Sequence, residues 1–231
     1  MQTLIRKVTT LYEQARNYHG KGQFIEAIYK FSRCLELEPD KGRRGALNLQ
    51  IGNCYYELRR HIKAAEFYAA GLIESRKAND VQGQASNLAS IANTFLLRPS
   101  ATGQVRGKNV QNAVQNYKKA LMIFLKDEYP VDYAMTQNNL GTAYTDLPSA
   151  TPQQRAENVR NAIECYKAAL EIYKKDEYPQ DYCHTAANMG MILEDIDNKK
   201  ACFWLKESYA LRQFLPDQGK RLEKIINRVC V

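Results

Sequence analysis

Small and aromatic residues recur in a fixed order along most of the chain, with polar residues between them. In each segment a Gly or Ala is followed three residues later by Tyr, Phe or Leu, and a second Ala is followed four residues later by another large apolar residue. Residues three and four apart share one face of an α-helix, so each segment predicts two amphipathic helices. The segments begin at Ala15, Gly52, Ala92, Gly141 and Gly190.

One stretch of the sequence is repeated almost whole. The residues Asn109–Leu147 match Asn158–Ile196, and the offset from 109 to 158 is 49 residues. Both copies contain Lys-Asp-Glu-Tyr-Pro-x-Asp-Tyr, at Lys126–Tyr133 and Lys175–Tyr182. A fixed period of this size indicates a repeat array, in which each unit buries its apolar side against the next.

The order of small and aromatic residues, with Pro39 closing the first segment, resembles the signature of the tetratricopeptide repeat (TPR) family. The resemblance covers about Val8 to Arg212. The longer repeats, with Tyr-Pro-x-Asp-Tyr and the segment Thr136–Tyr144, resemble those of kinesin light chains and of bacterial and archaeal signalling proteins. The resemblance implies an all-α fold, a right-handed α-solenoid of five helix-turn-helix units plus a C-terminal capping helix.

The spacing of the repeated residues sets the unit boundaries that we predict. Five TPR units are placed at residues 1–41, 42–79, 80–131, 132–180 and 181–214, and the capping helix at residues 215–231. The third and fourth units each carry a long insert between their two helices, at Pro99–Lys108 and Pro148–Glu157.

Helix-start signals follow both proline-containing segments. The sequence Thr151–Gln154 predicts a helix with Thr151 as its N-cap, so part of the insert should lengthen the second helix. Asp132 and Asp181 each lie two residues after a proline, and we predict that they cap the helices that follow.

Composition narrows the class of protein. No apolar run approaches the roughly 20 residues of a membrane span, and the N-terminal residues lack the apolar core of a signal peptide. The six cysteines include no Cys-x-x-Cys pair, so we expect reduced thiols in a cytoplasmic protein. The net charge is +8, which makes the location of the basic residues important for any assignment of partner.

No catalytic arrangement is visible in the sequence. The three histidines fall in three different units, and no two share a helix face at a metal-ligand spacing. A glycine-rich phosphate loop, a nucleophile elbow and a His-Glu-x-x-His motif are all missing. The acidic turn Glu194–Asn198 lacks the Gly and the distal Glu of a calcium loop. We therefore predict a protein that is not an enzyme and has no metal and no cofactor.

The packed pattern leaves one side of the first helix of each unit uncovered. Counted from the small residue at about 100° per residue, positions −6, −2, +1 and +5 point away from the packed side, and the TPR resemblance implies that they line a concave groove. We call this side the amide face, and its members are Thr9, Glu13, Arg16, Gly20, Ala46, Gln50, Asn53, Glu57, Ser86, Ser90, Asn93, Leu97, Met135, Asn139, Thr142, Asp146, His184, Asn188, Met191 and Asp195.

Carboxamides recur on the amide face. A carboxamide offers a donor and an acceptor together, which matches the backbone of an extended peptide. Asn is a mediocre helix former, and Glu or Lys would suit a merely solvated face better. We predict a peptide-binding groove formed by Arg16, Gln50, Asn53, Asn93, Asn138, Asn139 and Asn188. In this interpretation Asn138 braces Asn139, and truncating an amide-face Asn leaves the core intact.

The distribution of charge favours a protein partner. The amide face contains one arginine and four carboxylates, whereas the excess basic residues lie in turns, linkers and the capping helix. Only Arg16 is available for the carboxylate clamp with which some TPR proteins grip chaperone C-termini. We predict a non-catalytic scaffold that binds a protein or peptide, with no membrane partner. Two alternatives stay open: a nucleic-acid-associated adaptor that uses the basic turns, and a regulatory module of a larger signalling protein.

Overall fold

The computed structural model describes residues 2–215 and 219–230, and this part of the chain is all-α, as predicted, with no strand. Its helices are α1 (Gln2–Gly20), α2 (Phe24–Leu37), α3 (Lys41–Glu57), α4 (His61–Lys77), α5 (Val81–Leu97), α6 (Gly103–Leu121), α7 (Pro130–Thr145), α8 (Pro152–Ile172), α9 (Pro179–Leu193), α10 (Asn198–Ala210) and α11 (Gly219–Val229), with a short 3-10 helix (Arg212–Phe214) before α11.

Successive helices pack as five pairs, α1 with α2 through α9 with α10, and α11 packs on α10. The chain divides into two compact units. Unit 1, Met1–Ile123, contains α1 to α6, and unit 2, Phe124–Val231, contains α7 to α11. The five pairs and the final helix confirm the predicted solenoid architecture.

The repeated small residues lie where the two helices of a pair approach most closely. A Cβ atom on Gly52 would lie 2.4 Å from the ring of Tyr68, and one on Gly141 would lie 2.6 Å from the ring of Tyr166. Both distances are shorter than any van der Waals contact, so at these two positions only glycine lets the ring pack on the helix backbone.

The start of α8 lies inside the insert, as the sequence predicts. Thr151 Oγ1 accepts a hydrogen bond from the Gln154 backbone N at 3.2 Å, and Pro152 occupies the first helical turn. The Gln154 side chain reaches back, and its Oε1 accepts a hydrogen bond from the Ala150 backbone N at 2.9 Å. The first bond satisfies a backbone donor that the first turn of a helix leaves open, and the second ties down the residue before the cap.

The predicted caps Asp132 and Asp181 are wrong. The helices α7 and α9 begin at Pro130 and Pro179, so each Asp lies in the first turn and not at the cap. Proline fixes φ near its helical value and has no N–H to satisfy, so it starts each helix three residues earlier than predicted. In the first turn a carboxylate still interacts favourably with the positive end of the helix dipole.

The expectation that every cysteine is reduced is also wrong. Cys202 of α10 and Cys230, just beyond α11, form a disulfide with their Cα atoms 5.2 Å apart. The other four cysteines form no disulfide and are buried, and burial raises the pKa of the Cys34 and Cys54 thiols to about 11. A disulfide is not typical of a reducing compartment, and the cytoplasmic location stays a prediction.

The last helix is amphipathic and faces α10 with its apolar side. Leu222, Ile225 and Val229 are buried, which agrees with the predicted apolar face of this helix. Residues 216–218 and 231, which belong to the predicted capping segment, lie outside the described residues.

Among the described helices, none is both long enough and apolar enough to cross a lipid bilayer.

Candidate functional site

The amide face is accessible along its described length. In unit 1 the helix α3 lies beside α5, and in unit 2 the helix α7 lies beside α9, so the first helices of neighbouring pairs are adjacent. Every member of the amide face is exposed or partly exposed. The small residues on the opposite side, Ala15, Gly52, Ala92, Gly141 and Gly190, are all buried.

Two of the predicted site residues present polar groups without internal partners. Arg16 is exposed on α1, and Gln50 is half-buried on α3. Among the described residues, neither side chain has a hydrogen-bond or ion-pair partner. Both are therefore available to an external ligand.

Asn53 and Asn93 are partly exposed, and each also binds a buried tyrosine. The Tyr68 hydroxyl donates to Asn53 Oδ1 at 2.8 Å, and the Tyr117 hydroxyl donates to Asn93 Oδ1 at 2.5 Å. Both tyrosines are buried, and burial raises the pKa of each phenol, so the hydroxyl keeps its proton and acts as the donor. The expectation that truncating these two amides leaves the core intact is therefore wrong.

A third buried tyrosine has a polar partner at the corresponding place in unit 2. The Tyr166 hydroxyl lies 3.4 Å from Thr142 Oγ1 and 3.3 Å from Thr145 Oγ1. Thr142 occupies position +1 of its helix, as Asn53 and Asn93 do in theirs. Position +1 thus binds a buried hydroxyl wherever the second helix supplies a tyrosine.

The sequence contained a signal for these pairs that our prediction did not use. Where the second helix supplies Phe31 or Leu205 in place of tyrosine, position +1 is Arg16 or Met191. Position +1 is therefore Asn or Thr only in the repeats whose second helix supplies a tyrosine hydroxyl. Comparing position +1 with the large residue of the second helix, repeat by repeat, would have predicted the three pairs.

We expect Asn93→Ala to lower the free energy of unfolding by about 1–3 kcal/mol, because the buried Tyr117 hydroxyl loses its acceptor. Urea denaturation of the single variant measures this loss. In a Tyr117→Phe background, which has no hydroxyl, the same Asn93→Ala change should cost clearly less. An equal cost in both backgrounds would contradict the hydrogen bond as the cause.

In unit 2 the structure brings the three predicted site residues together. Asn188 Nδ2 of α9 donates to Asn138 Oδ1 of α7 at 3.2 Å, and Asn138 Nδ2 lies 3.4 Å from Asn139 Oδ1. All three side chains are half-buried. The carboxamides therefore form one connected row across two adjacent helices, and their orientations are fixed by one another.

Three of the four carboxylates of the amide face lie at the C-terminal ends of their helices. The carboxylates Glu57, Asp146 and Asp195 all occupy position +5, at or just beyond the C-terminal end of their helices, and all are exposed. In unit 2 the amide face contains no Lys or Arg. Its carboxamide row is therefore uncharged and is bordered by acidic residues.

Two basic residues that the nucleic-acid alternative would use are occupied by the protein itself. Arg44 Nη1 donates to the carbonyl oxygen of Leu35 at 2.8 Å, and Arg44 also pairs with Glu74, with Nε and Oε2 3.6 Å apart. Arg106 donates to the carbonyl oxygen of Leu96. Arg44 lies in α3 and Arg106 in α6, not in turns as predicted, and each side chain is held at the C-terminal end of the preceding helix. These contacts make the two guanidinium groups less available to phosphate.

No protein-family model matches the chain, and no curated protein matches it. Several solved structures do. TTC0263, a thermophilic TPR protein of Thermus thermophilus, aligns with a TM-score of 0.65 at 12% identity, over 95% of this chain and 98% of that one. The nearly identical TPR-like repeats of a Podosopora anserina protein described as a kinesin light chain align with a TM-score of 0.61 at 17% identity, over 89% and 94%.

A third structure is the Rap conjugation gene regulator of the plasmid pLS20 in complex with the Phr* peptide. It aligns with a TM-score of 0.64 at 12% identity, over 94% of this chain and 56% of that one. Identities this low carry the fold and nothing finer. Together with the repeated helix pairs and the glycine–tyrosine crossings, the three structural alignments show that the chain is an all-α solenoid with the tetratricopeptide-repeat fold.

Proposed function

We propose that the chain is a non-catalytic scaffold that binds an extended protein segment along its amide face. The observation that carries this proposal is the connected row of Asn138, Asn139 and Asn188 in unit 2. The row is partly exposed, uncharged and made of groups that both donate and accept hydrogen bonds.

The hydrogen bonds within the row favour binding by fixing the side chains in advance. A side chain that is already oriented loses less conformational entropy when it binds a ligand. Asn188 donates through Nδ2, and its oxygen accepts no hydrogen bond from the described part of the chain. That oxygen can accept from a backbone N–H of an extended peptide, whose N–H and C=O groups repeat along its length.

Apolar members of the amide face supply a place for ligand side chains. Met135 of α7 is 43% exposed, and Met191 of α9 is half-buried. Methionine is unbranched and polarisable, so it adapts to side chains of different shape. Backbone recognition by amides with adaptable apolar contacts suits a peptide better than a small polar metabolite.

The comparison with the Rap regulator supports a peptide ligand by analogy. That protein, which shares the fold, was solved in complex with a peptide. Fold alone does not carry function, so the residues of this chain must supply the test.

Peptides selected from a displayed library of short random sequences against the full chain provide the probe. We expect Asn139→Ala and Asn188→Ala each to weaken the binding of a selected peptide by about 2- to 13-fold, which corresponds to about 0.5–1.5 kcal/mol for each lost hydrogen bond. Fluorescence anisotropy of the labelled peptide measures the affinity.

Asn17→Ala is the matched control, because Asn17 is exposed on α1 and lies outside the amide face. This variant should bind the peptide as the wild type does. If the two unit 2 variants also bind normally while circular dichroism shows them folded, the amide face is not the site.

A further inference from the structure

We infer that the segment bound in unit 2 has an acidic end, which is recognised by a cationic cleft between α9 and α11. The inference rests on the proposed function and specifies its ligand. The cleft has a volume of about 630 Å³. Its cationic residues all come from one side of α11, and they are Lys220, Arg221, Lys224 and Arg228.

Most of the positive charge in the cleft is not neutralised by the protein. Arg228 forms an ion pair with Glu194, the residue that follows α9, and Glu194 also lines the cleft. Lys220, Arg221 and Lys224 have no ion-pair partner among the described residues. Three like charges held around one cleft favour the entry of an anion.

The cleft is continuous with the amide face of unit 2. Met191, which lines the cleft, is also a member of the amide face, three residues after Asn188 on α9. Three helical residues span about 4.5 Å along the axis, so a peptide that contacts Asn188 reaches the cleft within one or two residues. One bound segment can therefore contact both the carboxamide row and the cations.

The cations are held in place by the packing of α11. Leu222, Ile225 and Val229 are buried side chains of this helix, and the Cys202–Cys230 disulfide anchors its C-terminal end to α10. A cleft built on a fixed helix does not need to be assembled when the ligand arrives.

The surroundings favour an acidic peptide over a nucleic acid. Glu194 lies in the cleft, and Asp195 lies next to it in the sequence at the edge of the amide face. Arg228 pairs with Glu194, whereas Asp195 lies outside the cleft lining and would repel a phosphate backbone that continues past the cations. A peptide can confine its negative charge to the end that enters the cleft. Among the described residues that line the cleft, the apolar ones are Met191 and Ile225, and none carries an aromatic ring on which a base could stack.

Peptide selection on the full chain tests the inference. We expect the selected peptides to be enriched in Asp and Glu at one end. The double variant Arg221→Glu/Lys224→Glu should bind a selected peptide about tenfold more weakly at low salt. Replacing the acidic residues of the peptide with Asn and Gln should weaken its binding to the wild type by a similar factor and should hardly change its binding to the variant.

The double variant Lys199→Glu/Lys206→Glu is the control. It makes the same change of charge at two exposed residues of α10 that do not line the cleft. It should retain nearly full affinity, and an equal loss in this variant would mean that net charge and not the cleft is responsible, which would overturn the inference.

The failures of the two proposals give different results. If the selected peptides depend on Asn139 and Asn188 but have no acidic end and bind the Arg221/Lys224 variant normally, the inference falls and the proposed function stands. If no selected peptide depends on either Asn, both fall. A random single-stranded oligonucleotide that binds more tightly than the peptides, and loses that binding in the Arg221/Lys224 variant, would assign the cleft to nucleic acid and overturn the inference.

Discussion

Replacing both Cys202 and Cys230 with serine should lower the free energy of unfolding by about 3–4 kcal/mol. The two cysteines are separated by 28 residues, and opening the bridge restores the conformational freedom of that loop in the unfolded chain. As urea is added, α11 should be the first helix of the variant to unfold, because the bridge is a covalent anchor at its end. Urea denaturation of the oxidised wild type and of the double variant gives the difference.

Reduction of the wild type provides the control for this prediction. With a thiol reductant present, the wild type should denature at the same midpoint as the variant, and the variant itself should not respond. A wild-type midpoint that does not change on reduction would contradict a stabilising role for the bridge. A variant that becomes less stable in reductant would point to the other cysteines.

Gly141→Leu should destabilise the fold by about 3 kcal/mol, at the upper end of the usual effect of overpacking. A Cβ at this position already lies 2.6 Å from the Tyr166 ring, and the rest of a leucine side chain would have to displace that ring. Moving the ring also separates the Tyr166 hydroxyl from Thr142 and Thr145. Both effects act at the crossing of α7 and α8, on which the fourth repeat depends.

Gly103→Leu is the matched control for this change. Gly103 begins α6, and a Cβ there would meet nothing within 4 Å. We expect it to shift the free energy of unfolding by less than about 0.5 kcal/mol, as surface changes usually do. If the denaturation midpoints of the two variants fall equally, close approach at Gly141 is not what the repeat requires.

The fold was predictable because its constraints lie within each repeat. A small residue, a large apolar residue three positions later and another on the second helix form a local geometry, and its recurrence in the sequence indicates the array. The cap of α8 was predictable for the same reason, since Thr151 and Gln154 lie within one turn. The starts of α7 and α9 were predicted wrongly, because each segment contains two residues that can begin a helix. The helices begin at Pro130 and Pro179 and not after Asp132 and Asp181.

Contacts between segments that are far apart in the sequence could not be predicted from the sequence pattern. No spacing rule pairs Cys202 with Cys230, because the pairing depends on how α11 folds back on α10. The basic residues of α11 were visible as a group, but their position against Met191 depends on the same packing. The amide face was predictable as a surface, but the partners of its carboxamides were not. Asn93 accepts a hydrogen bond from the buried Tyr117, whereas Asn188 donates one to Asn138.

The central claim is that the carboxamides of the amide face contact a peptide backbone. The side-chain NH2 signals of asparagine in the NMR spectrum of the full chain report on this contact, because a new hydrogen bond to a carboxamide shifts its own resonances. On titration with a selected peptide, the account predicts shifts for Asn139 and Asn188 and none for Asn17 or for Asn198, which is exposed at the start of α10. Shifts at Asn17 or Asn198 with unchanged signals from Asn139 and Asn188 would contradict it.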